Sequence, residues 1–132
     1  MDEIRLKYLD MLQALIGRMA GNQFSVRTWS VGLGTAVIGF AASKDGNAKA
    51  SLLAAFPALI FWATDAYYLA LERKYRDIFN AACEDQKHKN FAFSAELKGK
   101  DVRAALKRPA VWLTHAPIVI LALGIGGWAW LR

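Results

Sequence analysis

The stretch ASLLAAFPALIFWATDAYYLALERKYRDIFN, residues 50–80, decides the fold. Its first part, 50–71, is apolar over the length of helix, roughly 20 residues, that crosses the hydrocarbon core of a bilayer. The remainder is charged, but its apolar residues keep a helical spacing. No Gly or Pro occurs between Pro57 and residue 88. The pattern therefore predicts one long helix, 50–87, kinked at Pro57, that begins in a membrane and continues into water.

Two further apolar runs predict two more spans. The run 109–131 has 23 residues without a formal charge. The run 24–43 is shorter in effect, because only sixteen uncharged residues separate Arg27 from Lys44. The polar turn 43–49 is short enough to join it to the second span as an antiparallel hairpin. The alternative, buried core helices of a soluble protein, fits less well with an apolar fraction of 55%.

The first 22 residues predict an amphipathic helix, because their apolar side chains recur at spacings of three and four. Gly21-Asn22 is a break signal that would end this helix before the first span. Its apolar stripe would rest either on another helix of the protein or on the membrane surface. The whole chain, 1–132, is thus predicted to be one all-α integral membrane domain.

Residues 72–108 predict a solvated helical collar on one side of the membrane. The collar contains the extension of the second span, an irregular connector at 88–99, and a short helix at 102–107 with Asp101 as its N-cap. The extension carries an apolar stripe that we expect to pack on the N-terminal helix. The stripe consists of Tyr75, Ile78 and Phe79, and its expected partners are Leu12, Leu15 and Ile16.

The distribution of charge orients the spans. Residues 1–27 and the collar together hold fourteen of the 17 Lys and Arg residues, and the opposite side holds three. The positive-inside rule therefore predicts a cytoplasmic N-terminus and an outward C-terminus. The net charge of +6 beside apolar spans favours anionic lipid headgroups as partners, and no nucleic acid is expected.

Three ionisable residues are predicted to share one depth in the membrane. Counting from the turn of the hairpin puts Arg27 and Asp65 at nearly the same height. Counting from the collar puts His115 in the same layer. Two interpretations remain open: an ion-conducting or proton-sensitive layer, or a single ion pair that fixes the register of the hairpin.

Small residues recur four apart along the spans, which permits close helix contact. These rows could serve contacts within the bundle or between copies of the chain, and the sequence does not decide between the two. The candidate packing residues are Gly34, Thr35, Gly39 and Gly126.

Enzymatic motifs are lacking, so no catalytic role is predicted. Cys83 is the single cysteine, which rules out an intrachain disulfide and any cysteine cluster for metal. No phosphate-binding Gly-rich loop is present, and no cofactor is predicted. Arg108 and His115 are spaced as in some ribonucleases, but one of them lies inside a predicted span.

The blocks RMAGNQFSVRTWSVGL, residues 18–33, and FWATDAYYLALERKYRDIFN, residues 61–80, resemble those of small uncharacterised bacterial membrane proteins. The resemblance covers roughly 18–80 and implies a multi-span protein of the bacterial inner membrane. The layout is also similar to that of compact membrane effectors of anti-phage defence systems. It departs from them because no nucleotide-sensing domain is recognisable.

These observations lead to two functional hypotheses. The first is an oligomeric inner-membrane protein that forms a pore or otherwise conducts ions, in the setting of antiviral defence that the resemblance implies. Three spans leave little room for an internal pore, so conduction would need several copies. The second is a non-conducting adaptor or assembly subunit that presents the basic collar to a partner protein.

Overall fold

The computed structural model describes most of the chain, namely residues 3–43, 46–84, 91–93 and 95–131. Every regular element within these ranges is helical, so the all-α prediction is confirmed. The elements are α1 (Glu3–Ala42), a short 3-10 turn (Ala48–Ser51), α2 (Leu52–Glu84), α3 (Gly99–Leu106) and α4 (Pro109–Leu131).

The predicted break at Gly21-Asn22 is wrong, because α1 runs without interruption through both residues. A glycine inside a helix costs only about 1 kcal/mol relative to alanine. Packing outweighs that cost, since α1 makes its most extensive contact with α2, a helix of nearly the same length. The predicted segments 1–22 and 24–43 are therefore parts of one helix as far as the structure describes them.

The turn between α1 and α2 is held by backbone and side-chain caps. Ser43 ends α1, and its hydroxyl donates to the Phe40 carbonyl at 2.6 Å. Gly46 lies so close to the Phe40 carbonyl that a Cβ atom there would overlap it. The Asn47 side chain accepts the backbone N–H of Lys49 at 3.0 Å and starts the 3-10 turn. The two long helices are thereby reversed over a few residues.

Helix α2 follows the predicted long helix over most of its length. It continues through Pro57 and past the apolar part into the charged part, and ends at Glu84. Residues 85–87 of the predicted helix lie outside the described residues. The kink at Pro57 stays a prediction.

Helix α3 begins earlier than predicted, and Asp101 is not its N-cap. Lys98 occupies the cap position, and Asp101 is the third helical residue, where its carboxylate accepts the Lys98 backbone N–H at 3.0 Å. An acid at this position satisfies a free N–H of the first turn and favours the helix dipole. The carboxylate thus caps the helix from inside it, which moves the start to Gly99.

Two stretches are long and apolar enough to cross a membrane, Ala48–Glu84 and Pro109–Leu131. In each, only 28% of the most apolar window is buried inside the protein, whereas a core helix would be mostly buried. Large side chains such as Phe56 and Leu121 face outward. The predicted first span, 24–43, does not meet the same criterion and stays a prediction.

The bundle has two chemically different ends. We call the charged end the part formed by α1 up to residue 22, α2 from residue 72, and α3. The apolar end is the part around the α1–α2 turn and the C-terminal half of α4. A small cluster of buried residues fills the apolar end, made of Ala54, Ala55 and Ala122 with Val37 and Ile38 against them.

Candidate functional site

Arg27, Asp65 and His115 meet between the two ends of the bundle, each brought by a different helix. The Arg27 Nε atom lies 2.8 Å from Asp65 Oδ2 and donates to it. The His115 Nε2 atom lies 2.8 Å from the same oxygen. We call these three residues the polar triad. It joins α1, α2 and α4 at one level, which is where helical counting placed the three side chains.

The triad is enclosed by the protein. Asp65 and His115 are 0% exposed, and the Arg27 side chain keeps 28% of its surface accessible. A buried carboxylate without a partner is expensive, and a paired and hydrogen-bonded one much less so. The Arg27 guanidinium therefore supplies the opposite charge and a hydrogen bond that offset the burial of the Asp65 carboxyl group.

The hydrogen bonds constrain the protonation of His115. An ionised Asp65 can only accept, so His115 Nε2 carries the proton of that bond. The other ring nitrogen, Nδ1, lies 2.8 Å from the Ser30 hydroxyl, which is also buried. In the neutral ring Nδ1 accepts from Ser30, and in the charged ring it donates to it. Ser30 thus supports either state of the imidazole.

Asp65 uses its two oxygens unequally. Oδ2 accepts from both Arg27 and His115, whereas Oδ1 is buried and has no hydrogen-bond partner among the described residues. An unpaired buried acceptor raises the free energy of the folded state. The asymmetry marks Oδ1 as the atom of the triad that could accept a hydrogen bond from a further donor.

The triad continues toward the charged end through two residues that sequence reasoning missed. Gln23 accepts from Arg27 Nη2 at 3.2 Å, and its own amide donates to Glu72 at 2.5 Å. Glu72 in turn accepts from Arg76 Nη2 at 2.7 Å. We call the polar chain the seven side chains Arg76, Glu72, Gln23, Arg27, Asp65, His115 and Ser30.

A signal for these partners was present in the sequence. Gln23 lies four residues before Arg27, and Glu72 lies seven after Asp65, so each shares a helix face with its triad neighbour. Ser30 lies three after Arg27 and could have been found in the same way. Both Gln23 and Ser30 are buried, which a polar residue inside an apolar run would suggest.

The polar chain ends at Ser30, and small residues close the bundle beyond it. A Cβ atom on Gly34 would lie 2.6 Å from Ile118 Cγ2, and one on Gly126 would overlap the Leu52 side chain. Thr35 and Gly39 are exposed instead, and a Cβ atom on Gly39 would contact none of the described residues outside its own helical turns. The four candidate packing residues thus divide into two that serve the bundle and two that face outward.

The collar stripe packs on α1. Tyr75, Ile78 and Phe79 are half-buried against a cluster that contains Tyr8, Leu9, Leu12 and Ala82. Of the expected partners, Leu12 belongs to this cluster, Ile16 is buried elsewhere along α1, and Leu15 is half-buried.

Tyr8 ties this cluster to the connector before α3. Its hydroxyl donates to the Ala92 carbonyl at 2.7 Å, and its ring meets Phe91 edge-on with centroids 5.1 Å apart. Burial raises the pKa of the Tyr8 phenol, so it stays a donor at neutral pH. The described part of the connector is thereby fixed to α1.

Arg5 is a further functional side chain that sequence reasoning missed. It is buried, and its guanidinium donates to the carbonyls of Ala82 and Cys83 in the last turn of α2. The last turn of α2 has no basic residue of its own. Because free carbonyls give a helix C-terminus partial negative charge, Arg5 acts as a cap supplied by another helix.

Within the described residues, no group of three or more His, Cys, Asp and Glu side chains could hold a metal ion. Comparison of the chain with protein-family models, with curated proteins and with solved structures gave no match.

Proposed function

We propose that this protein is a three-span membrane adaptor: it anchors and orients a cytoplasmic helical layer for a partner protein and does not conduct ions by itself. The observation that carries the proposal is the polar chain. It runs without a gap from Arg76 at the charged end to Ser30 inside the bundle, and it stops there. Such a chain can position one end of the bundle against the other, but it offers no route through.

Membrane embedding is supported by the outward-facing apolar surface. Soluble monomers rarely expose contiguous apolar patches beyond a few hundred Å². Here large apolar side chains point outward from all three long helices, including Phe40 of α1, Phe56 of α2 and Ile120 of α4. Lipid is the solvent that would cover such a surface at no cost.

The third span, α1 from residue 24, is supported by its packing rather than its hydropathy. Its charged residue, Arg27, turns inward to Asp65, while Trp29 and Phe40 face outward. An ionisable group in a span is expected to face the bundle interior in this way. The excess of Lys and Arg at the charged end makes that end cytoplasmic, and the resemblance to bacterial proteins makes the inner membrane the site we propose.

The surface that we assign to the partner is an apolar groove on the charged end. The groove has a volume of about 360 Å³ and is lined by Met11, Ala14, Leu15, Arg18 and Phe93. Met11 is 56% exposed in this groove. Arg18 at its rim complements an acidic side chain, so the occupant we infer is a partner helix with apolar residues and an acid.

A pair of photocrosslinking variants tests the adaptor proposal. A photoreactive residue at Met11 is in the groove, and one at Gln13 is exposed on another face of α1. We expect a defined adduct in cells from position 11 only, and its loss when Leu15→Glu is added. Equal adducts from both positions, or an adduct that survives Leu15→Glu, would contradict the docking of a partner in this groove.

Ion conduction by an oligomer is the second candidate, favoured by one specific observation. Thr28, Gly32, Thr35 and Gly39 lie three or four residues apart on α1 and are exposed. A face of small residues lets a second copy approach closely in a membrane. A conducting path would then lie between copies.

The mass of the detergent-extracted complex separates the two candidates. The adaptor proposal is compatible with a monomer, whereas a pore of this size is not. A strict monomer in several detergents and in nanodiscs eliminates conduction. A defined oligomer that Gly39→Val dissociates makes conduction the better proposal, and the similarity in layout to anti-phage effectors makes phage infection the first condition to examine.

A further inference from the structure

Helix α3 has two opposite faces, and its apolar face is fixed. Val102, Ala105 and Leu106 pack toward α2, with Ala105 fully buried. The Trp62 indole N–H donates to the Leu106 carbonyl at 3.2 Å, and Lys74 pairs with Asp101 at 3.4 Å. These contacts hold α3 against α2.

The opposite face of α3 is basic. Lys100, Arg103 and Lys107 are three and seven residues apart, so they project within an arc of roughly 60°. All three are exposed, as is Arg108, which follows directly. We call these four residues the basic face.

The position of α3 puts this face at the boundary of the membrane. The apolar helix α4 begins at Pro109, immediately after Arg108. The bond from Trp62 places the end of α3 beside the apolar part of α2. Trp112 follows Arg108 by about one helical turn and is exposed, as aromatic side chains are at an interface.

We propose that the basic face of α3 binds the phosphate groups of anionic lipids in the cytoplasmic leaflet. The proposal rests on the membrane embedding proposed above. The reason is electrostatic: basic residues beside a span are each attracted to an anionic leaflet, and four of them on one rigid face act together. The face is pre-oriented by the apolar contacts of α3, so little order is lost on binding.

The neighbouring cavity between α2 and α3 is not the anion site. It has a volume of about 160 Å³, and both acids and bases line it: Arg73, Lys74, Asp77 and Asp101, with Ala70 and Ala104. Lys74 is already paired with Asp101. The acidic and basic side chains of the cavity therefore balance in charge. The basic face, in contrast, consists of positively charged residues only.

Two matched double variants test the proposal. Arg103→Gln/Lys107→Gln removes two charges from the basic face, and Lys7→Gln/Arg73→Gln removes two exposed charges outside that face, one on α1 and one on α2. Each protein is placed in nanodiscs of mixed phosphatidylglycerol and phosphatidylethanolamine, and the lipid retained after release is measured by native mass spectrometry. We expect the enrichment of phosphatidylglycerol to fall at least about tenfold in the first variant, since each charge contributes about 1 kcal/mol. The second should match the wild type.

Equal enrichment in both variants would overturn the proposal, as would binding of an RNA oligonucleotide that only the first variant loses. Extraction of the wild-type protein from membranes by alkaline carbonate is measured separately. Extraction would mean that the membrane embedding fails. Resistance of the wild type to carbonate, together with an unchanged lipid preference in Arg103→Gln/Lys107→Gln, would mean that only the proposed lipid binding by the basic face is wrong.

Discussion

The α1–α2 hairpin is held in different ways at its two ends. Toward the charged end, side chains cross between the helices as directed hydrogen bonds, from Gln23 to Glu72 and from Arg27 to Asp65. Toward the apolar end the contacts are made by small residues, such as Ala54 and Ala55. Directed bonds specify which residues stand opposite each other, and small residues specify how closely the helices approach. The hydrogen bonds toward the charged end thus set the register of the two helices, and the small residues toward the apolar end set the distance between them.

Among the substitutions that distinguish the two ends, the removal of Asp65 from the polar triad should lower the free energy of unfolding most. Asp65→Ala leaves Arg27 partly buried without its counter-ion and removes the acceptor for His115. We expect a loss of about 3–5 kcal/mol in the free energy of unfolding, measured by reversible unfolding in mixed micelles. Asp77→Ala, at an exposed position of the same helix, should cost less than about 0.5 kcal/mol. Similar losses in the two variants would show that the triad does not fix the register.

Two glycines of α1 give a sharper test of the apolar end. Gly34→Val puts methyl groups into the space of Ile118, and we expect it to cost about 1–3 kcal/mol. A Cβ atom on Gly39 contacts none of the described residues outside its own helical turns, so Gly39→Val should change the free energy of unfolding by less than about 0.5 kcal/mol. The same micelle assay checks both. A reversed order would mean that the close approach of α1 to α4 is not where the structure places it.

Arg5 tests whether the charged end depends on a cap supplied by another helix. Arg5→Met keeps most of the side-chain volume but leaves the carbonyls of Ala82 and Cys83 without their donor. We expect a loss of about 1–2 kcal/mol and faster amide hydrogen exchange in the last turns of α2. Lys7→Met, at an exposed position two residues away, is the control. Unchanged exchange in Arg5→Met would contradict the capping role.

The smallest effect concerns the acid within α3. The backbone N–H of Lys98 and the nearby Lys74 hold the pKa of Asp101 below its ordinary value. Because the Asp101 carboxyl group binds its proton less readily in the folded protein than in the unfolded chain, it stabilises the fold at pH values above the ordinary carboxyl pKa. This contribution is lost as the pH falls through the pKa of the folded state. The protection of the α3 amides, corrected for the intrinsic exchange rate at each pH, should therefore fall in acid for the wild type. Asp101→Asn should show a flatter profile, and an identical profile would count against this cap.

Helical counting predicted more of the site than local signals did. The depth of Arg27, Asp65 and His115 follows from a fixed rise per residue, and the three side chains do meet. Local rules failed at Gly21, where packing on α2 overrides a weak helix former, and at Asp101, whose carboxylate caps α3 from its third position. Arg5 could not have been found from sequence, because its partners are backbone carbonyls 77 and 78 residues away.

Ion flux into liposomes tests whether the polar chain positions the two ends of the bundle without conducting ions. Purified protein is reconstituted at a ratio that gives several copies per vesicle, and proton and potassium entry are followed with dyes. We predict the same flux as in empty liposomes, for the wild type and for Asp65→Asn alike. A wild-type flux above that level, which Asp65→Asn abolishes and Asp77→Asn retains, would contradict the proposal of a non-conducting adaptor.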